Sequence, residues 1–210
     1  MMTLYDYAMA PNPRRARILL AEKGVTVQRQ NVDLRTQEQF SAAFRQINPA
    51  CTVPVLQTED GELLRDNAAI AAYLEDRFPQ PPLLGRSALD KALVASWNWR
   101  AEFDGLMAVA EAFRNGSPAM VDRALPGPLP YAQIPALAER GLARIAVFFT
   151  SLDERLRDHP FLAGEHLSVA DITALVSVDF ARVVGCQPDA SHPHLQSWRQ
   201  RLSARPAFAA

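Results

Sequence analysis

Cysteine is nearly missing from this chain. Only Cys51 and Cys186 occur in 210 residues, too few for a disulfide framework, so a reducing, cytosolic compartment is the expectation. There is no CxxC pair, and the four histidines form no HExxH, so no metal site is expected. No apolar run approaches the roughly 18 residues that would suggest a membrane-spanning helix. The opening MMTLYDYAMAPNPRRAR has no basic segment followed by an apolar stretch, and no secretory signal is expected. Neither charge sign is in excess: 22 basic residues stand against 23 acidic ones, a net charge of −1. That balance argues against a general nucleic-acid partner. The rest is ordinary for a soluble globular chain, at 49% hydrophobic and 21% charged, and its length suits one large domain or two small ones.

The first 80 residues alternate strand-like and helical runs. Leu4 to Tyr7 has β character. Ala10-Pro11-Asn12-Pro13 then breaks the chain before a helix over Arg14–Lys23, with Asn12 as N-cap, Pro13 at the first helical position and Gly24 as the stop. Val25–Val32 reads as a strand and Thr36–Ile47 as a helix ended by Asn48-Pro49. Val53–Gln57 and Glu62–Leu64 form a hairpin around Asp60-Gly61. Asp66–Phe78 reads as a third helix. The order βαβαββα implies an α/β layer on one mixed sheet. After Pro79, Pro81 and Pro82 the strand signals nearly vanish. Ala92, Ser96, Trp99, Phe103, Leu106, Ala110 and Phe113 recur at steps of four and three, one face of a long helix. Five prolines between Pro118 and Pro135 mark a loop, followed by a helix to about Arg157. Ser168-Val169-Ala170-Asp171 reads as a capping box opening a buried helix over Ile172–Val184, and a final helix runs over His194–Ser203. Two domains are expected: residues 1–80 and residues 88–210.

Several of these motifs occur together. Asn48-Pro49 precedes Val53-Pro54-Val55-Leu56; Asp60-Gly61 precedes Ala69-Ile70-Ala71-Ala72-Tyr73-Leu74. Phe161-Leu162-Ala163-Gly164 leads into Leu167-Ser168-Val169-Ala170-Asp171-Ile172, and Trp198 and Arg205-Pro206-Ala207-Phe208 close the chain. In this order and spacing the chain resembles the cytosolic glutathione transferases over essentially its whole length. The resemblance implies a thioredoxin-like βαβαββα domain that binds glutathione, followed by a helical bundle domain. It also implies a homodimer. Ser168 and Asp171 read as structural, because a Ser cap satisfies helix N–H groups and is worth about 1 kcal/mol.

The resemblance also assigns site residues. It implies a cis Val53–Pro54 bond, which exposes the Val53 backbone to pair with the cysteinyl part of glutathione as an added strand would; the alternative is that Pro54 only shapes a turn. The family's acidic-Ser pair, which holds the γ-glutamyl end, corresponds here to Asp66-Asn67; either residue could instead simply cap its helix. Gln39, nine residues before Asn48, matches a contact to the glycyl carboxylate, or is a solvated helix-end residue. The second substrate, a small electrophile, is expected between the domains. Trp99, Phe103, Phe113 and Tyr131 are candidate lining residues, with Asn115 and Ser117 at the end of the long helix.

The activating position departs from the common pattern. Aligned on Arg15-Ala16-Arg17, the family's Ser or Cys falls on Ala10, which has neither donor nor nucleophile. Lowering a thiol pKa from about 8.5 to about 6.5 takes roughly 2.7 kcal/mol of preferential thiolate stabilisation. The segment Ala10-Pro11-Asn12-Pro13 resembles nu-class and related bacterial and fungal transferases, some of which use water or helix-dipole activation. A helix N-terminus supplies about 0.3–1 kcal/mol, up to ~2 when partly buried. A hydrogen bond to a charged group, here from the Asn12 amide, adds roughly 1.5–3 kcal/mol. Asn12 is therefore a thiol contact or an N-cap. Tyr7, near the family's tyrosine position, is the second catalytic candidate, with a core or pocket role as its alternative. The expected reaction is conjugation of the glutathione thiolate to a small apolar electrophile. Glutathione-dependent peroxide or disulfide reduction, and non-catalytic glutathione or ligand binding on the same fold, are its rivals.

Overall fold

The computed structural model describes residues 1–209. The chain divides into two compact units, Met1–Pro81 with Leu125–Leu129, and Pro82–Ala124 with Pro130–Ala209.

In the first unit, β1 (Thr3–Asp6) lies at the centre of a four-stranded mixed sheet of order β2-β1-β3-β4. It pairs in parallel with β2 (Gln28–Asn31), Tyr5 facing Gln30, and antiparallel with β3 (Val55–Gln57), Tyr5 facing Val55. The short β4 (Leu63–Leu64) completes the hairpin turned by Gly61, whose φ is +91°. Three helices accompany the sheet: α1 (Pro11–Glu22), α2 (Ala42–Ile47) and α3 (Asn67–Arg77). Leu4 and Leu56 of the sheet, Ile18 of α1, and Ile70 and Leu74 of α3 are fully buried, and α1 packs on α3. Each such side chain contributes about 1.5–3 kcal/mol by leaving water. Buried Lys23 donates from Nζ to Glu75 Oε2 at 2.5 Å and to the carbonyls of Phe78 and Pro81, which holds the end of α3.

Local expectations shift in this unit. The first helix begins three residues earlier than its apolar pattern suggests, because Pro11, not Pro13, takes the first helical position. Ala10 is then the cap, extended at φ −87° and ψ 139° as a residue before proline prefers. Asn12 consequently lies inside the first turn and is not the N-cap. The expected helix over Thr36–Ile47 splits into a 3-10 turn at Glu38–Phe40 and α2, since Ser41 stays extended and its Oγ caps Phe44 N at 3.1 Å. The second strand is shorter than read and exposed throughout, as an edge strand can be.

The second unit is helical: α4 (Ala88–Arg100), α5 (Met107–Gly116), α6 (Pro135–Asp158), α7 (Val169–Phe180) and α8 (Pro193–Ser203). A π-helical turn at Ala101–Leu106 interrupts the long helix. The stripe from Ala92 to Phe113 is therefore not one buried face. A π turn takes more residues per revolution and rotates the pattern, so Ala92, Ser96, Trp99 and Phe103 are exposed while Leu106 is buried. Helix α7 is the buried one, with all of Val169–Val178 inaccessible. It opens with a full capping box: Ser168 N and Oγ donate to Asp171 Oδ2 at 3.0 and 2.9 Å, and Leu162 N donates to Oδ1 at 2.9 Å. Helices α5 and α6 touch backbone to side-chain-free backbone. A Cβ on Gly141 would lie 2.6 Å from Ala112 N. Among the described residues, no helix is long and apolar enough to cross a membrane.

Candidate functional site

Two helix N-termini meet in the first unit. The first turn of α1 has no side-chain cap and no acidic residue of its own, and since Pro11 and Pro13 carry no N–H, its polar contribution is the Asn12 N–H and the positive dipole end. Asn67, the first residue of α3, donates from Nδ2 to the Asn12 carbonyl at 3.2 Å. Asp66 caps α3, its Oδ1 accepting from Ala69 N at 2.8 Å. Asn12 Oδ1 accepts from Arg15 at 3.2 Å. A guanidinium only donates, so this bond fixes the amide orientation and turns the Asn12 NH2 away from Arg15.

The Val53–Pro54 peptide is cis. Val53 precedes Val55, the first residue of β3, so its backbone lies outside the ladder. Tyr5 and Tyr7 pack against the cluster of Val32, Phe44, Val53 and Val55. Tyr7 is half-buried, and its carbonyl accepts from Ala10 N at 3.0 Å. Gln39 is not solvated: it is 3% exposed, and its Oε1 has no hydrogen-bond partner among the described residues. That oxygen accepts and so calls for a hydrogen-bond donor.

Behind the loop from Tyr7 to Ala10 lies a buried charge cluster. Asp6 accepts from Arg17 NH1 at 2.6 Å and from Arg29 Nε at 2.9 Å, and Arg17 NH2 donates to the Ala8 carbonyl at 3.1 Å. Burial pushes the Arg17 pKa down, against the neighbouring Asp6 carboxylate, which raises it. The cluster fixes the carbonyl two residues before the helix cap.

The second unit holds the expected electrophile residues in two groups. Trp99 and Phe103, 62% and 50% exposed, stack at 5.4 Å between centroids, with Arg144 4.8 Å over the Phe103 ring. Phe113, Asn115, Ser117 and Tyr131 belong to the far end of α5, about 15 Å further along by helical rise. There Phe113 meets Phe180 edge to face at 6.2 Å. Asn115 is buried, with Nδ2 donating to Glu111 O at 2.9 Å and Oδ1 accepting from Ile134 N at 3.0 Å. Both of its amide ends thus secure α5 to the start of α6. Ser117 ends α5, and its carbonyl accepts from Gln133 Nε2 at 2.7 Å. Tyr131 is 43% exposed and bridges to Arg123.

Comparison with known proteins is decisive on kinship. Residues 10–77 match the family described as glutathione S-transferase, N-terminal domain, and residues 117–206 match glutathione S-transferase, C-terminal domain. The chain belongs to the glutathione S-transferase family. It is similar to glutathione S-transferase 2 of Saccharomyces cerevisiae, at 32% identity over 98% of this chain and 87% of that one. Among solved structures, a glutathione S-transferase domain-containing protein of Marinobacter aquaeolei VT8 superposes with a TM-score of 0.88 at 35% identity, covering 98% and 99% of the two chains. Gtt2 of Saccharomyces cerevisiae superposes with a TM-score of 0.89 at 31% identity, covering 99% and 98%.

As a glutathione S-transferase, the protein is an enzyme whose co-substrate is glutathione. The α1 and α3 ends converge because the two helices pack against each other. Sequence reading missed the Asp6–Arg17–Arg29 cluster. Its only signal was an acid closing an apolar strand, and nothing in the spacing linked it to arginines 11 and 23 residues away.

Proposed function

We propose that the protein conjugates the glutathione thiolate to small apolar electrophiles. The tripeptide lies along the first unit. Its γ-glutamyl end meets Asp66 and Asn67 at the α3 N-terminus, where anions are favoured. Its cysteinyl amide pairs with the Val53 backbone before Pro54, and its glycyl carboxylate accepts from Nε2 of Gln39. The thiolate sits at the uncapped first turn of α1, accepting from the Asn12 NH2. The carrying observation is the Asn67–Asn12 bond, which joins the γ-glutamyl and thiol ends of this reading in one construction.

In the reaction the sulfur lone pair forms the new C–S bond, and the leaving group departs with the electrons of the bond it breaks. Ala10 supplies no nucleophile, so no covalent enzyme intermediate is involved; this favours conjugation over reduction through an enzyme thiol. Tyr7, packed against the cluster that includes Val53, shapes the site floor. Trp99, Phe103, Phe113, Ser117 and Tyr131 are the residues proposed to meet the electrophile, with Asn115 holding their scaffold. The same reading includes detoxification in the cytosol and a homodimer. Exposed Leu89 and Leu93 on α4 and Met107 on α5 supply apolar surface of the kind symmetric partners cover.

The test is a pH-resolved ultraviolet difference titration of glutathione into the protein. A saturable thiolate signal near neutral pH is expected. Calorimetric binding without thiolate would favour the ligand-binding alternative, and no binding would overturn the reading.

A further inference from the structure

Arg114 is a half-buried cation without an anion. It lies in the last turn of α5, where one guanidinium N–H, on NH1, donates to the Arg123 carbonyl at 2.8 Å. A guanidinium carries five such donors. Among the described residues no carboxylate lies within ion-pairing distance of it. The obvious partner, Glu111, is three residues earlier on the same helix but is taken by Arg140 and by Arg144 at 3.3 Å. The α5 carbonyl end favours a cation there, yet a partly buried charge loses hydration that one carbonyl does not replace. Burial, together with the nearby Arg123 charge, pushes the Arg114 pKa down. The Arg114 guanidinium, near a second positive charge and with no carboxylate in reach among the described residues, is the group an incoming anion relieves.

The surroundings define what kind of anion. Arg123 and Tyr131 are bridged side by side, through Ala124 N to Tyr131 O at 3.1 Å and Tyr131 N to Asp122 O at 3.0 Å. Gln133 secures the same place, donating to the carbonyls of Arg114 and Ser117 at 2.7 Å each. The phenol ring of Tyr131 is partly exposed, and Phe113 precedes Arg114 on the helix. A planar guanidinium receives a carboxylate through two parallel hydrogen bonds, and the exposed Tyr131 ring, on the segment paired with Arg123, offers a flat apolar surface.

We propose that Arg114, with Arg123 and Tyr131, forms an anion-binding site that selects aromatic electrophiles bearing a carboxylate. This rests on the transferase reading for the identity of the ligand as an electrophile, but not for the anion site itself.

The test compares 4-chloro-3,5-dinitrobenzoate with its methyl ester as glutathione acceptors, each rate divided by its uncatalysed rate. The native protein should show at least a tenfold higher kcat/KM for the acid. Arg114→Gln should reduce that ratio about tenfold. Arg114→Lys keeps the charge but loses the fork, and should fall between. Arg123→Gln should lower the ratio less, and it probes the site should Arg114→Gln fail to fold. A parallel calorimetric titration with 4-nitrobenzoate, which cannot react, separates the two readings. Binding weakened by Arg114→Gln, in a protein that turns over neither acceptor, would sustain the anion site and sink the transferase reading. Turnover with an acid-to-ester ratio near one in the native protein, or a ratio unchanged in both Arg114→Gln and Arg123→Gln, would overturn the anion site and leave the transferase reading standing.

Discussion

The side-chain amide of Asn67 donates to the backbone carbonyl of Asn12 across 3.2 Å, joining residues 55 positions apart. The bond clamps the first turn of α3 to the first turn of α1. A site for a small tripeptide anion gains from such a clamp because its two ends are fixed before the ligand arrives.

Asn67→Ala should therefore weaken glutathione binding more than it weakens the fold. A neutral hydrogen bond is worth about 0.5–1.5 kcal/mol, so the fold should lose about that much, and the KM for glutathione should rise roughly tenfold or more because the γ-glutamyl contact and the clamp go together. Asn12→Ala should act differently: the bound thiol pKa should rise by about one unit or more. Steady-state kinetics and ultraviolet titration of the bound thiol separate the two effects. An unaltered thiol pKa in Asn12→Ala would remove Asn12 from thiolate stabilisation.

Asp6 carries the opposite expectation. It is buried between Arg17 and Arg29, and removing one member of a buried pair leaves an uncompensated charge. Asp6→Ala should cost about 3–5 kcal/mol, which for a chain of this size lowers the melting temperature by roughly 10 °C. Thermal unfolding followed by circular dichroism checks it; a loss below about 1 kcal/mol would mean that the cluster is solvated in solution.

Asp171 links stability to pH. Burial raises its pKa to about 6, against the Leu162 and Ser168 donors that pull it down. The folded state therefore holds the proton more tightly than the unfolded chain does. The contribution is fully present below about pH 4 and is lost as pH rises to about 6, by at most about 3 kcal/mol, then stays flat. Denaturant unfolding between pH 4 and 8 should show this descending component. Asp171→Asn should flatten it, while lowering stability throughout because an amide cannot accept from all three donors.

Gly141→Ala tests the α5–α6 contact. The added methyl would meet the Ala112 and Ala108 backbones at 2.6 and 2.8 Å. Backbone cannot rotate aside as a side chain can, so the helices must separate, at a cost of about 1–3 kcal/mol or more. A denaturant midpoint equal to that of the native protein would show that the helices part freely.

Much of this architecture was legible in the residues. Asp60-Gly61 marked the hairpin, Gly24 the end of α1, and Ser168 with Asp171 the capping box of α7, because each rests on chemistry within a few residues of chain. Where two local signals competed, local reading lost. Pro11 and Pro13 are both fit to open a helix, and Asn12 is an N-cap only if Pro13 opens it. The stripe from Ala92 to Phe113 has a regular period, but a π turn changes how that period maps onto the surface.

The sequence by itself determined the order of elements, the family, and the residue types available to a glutathione site, since these follow from turn chemistry and apolar periodicity. Tertiary structure alone decided that Gln39 is buried with an unpaired oxygen, that Asn67 reaches Asn12, and that Asp6 gathers two distant arginines. It also decided that Glu111 goes to Arg140 and Arg144 and leaves Arg114 without a carboxylate. Each of these depends on which side chains share a small volume once the chain has packed, and spacing along the chain carries no record of that.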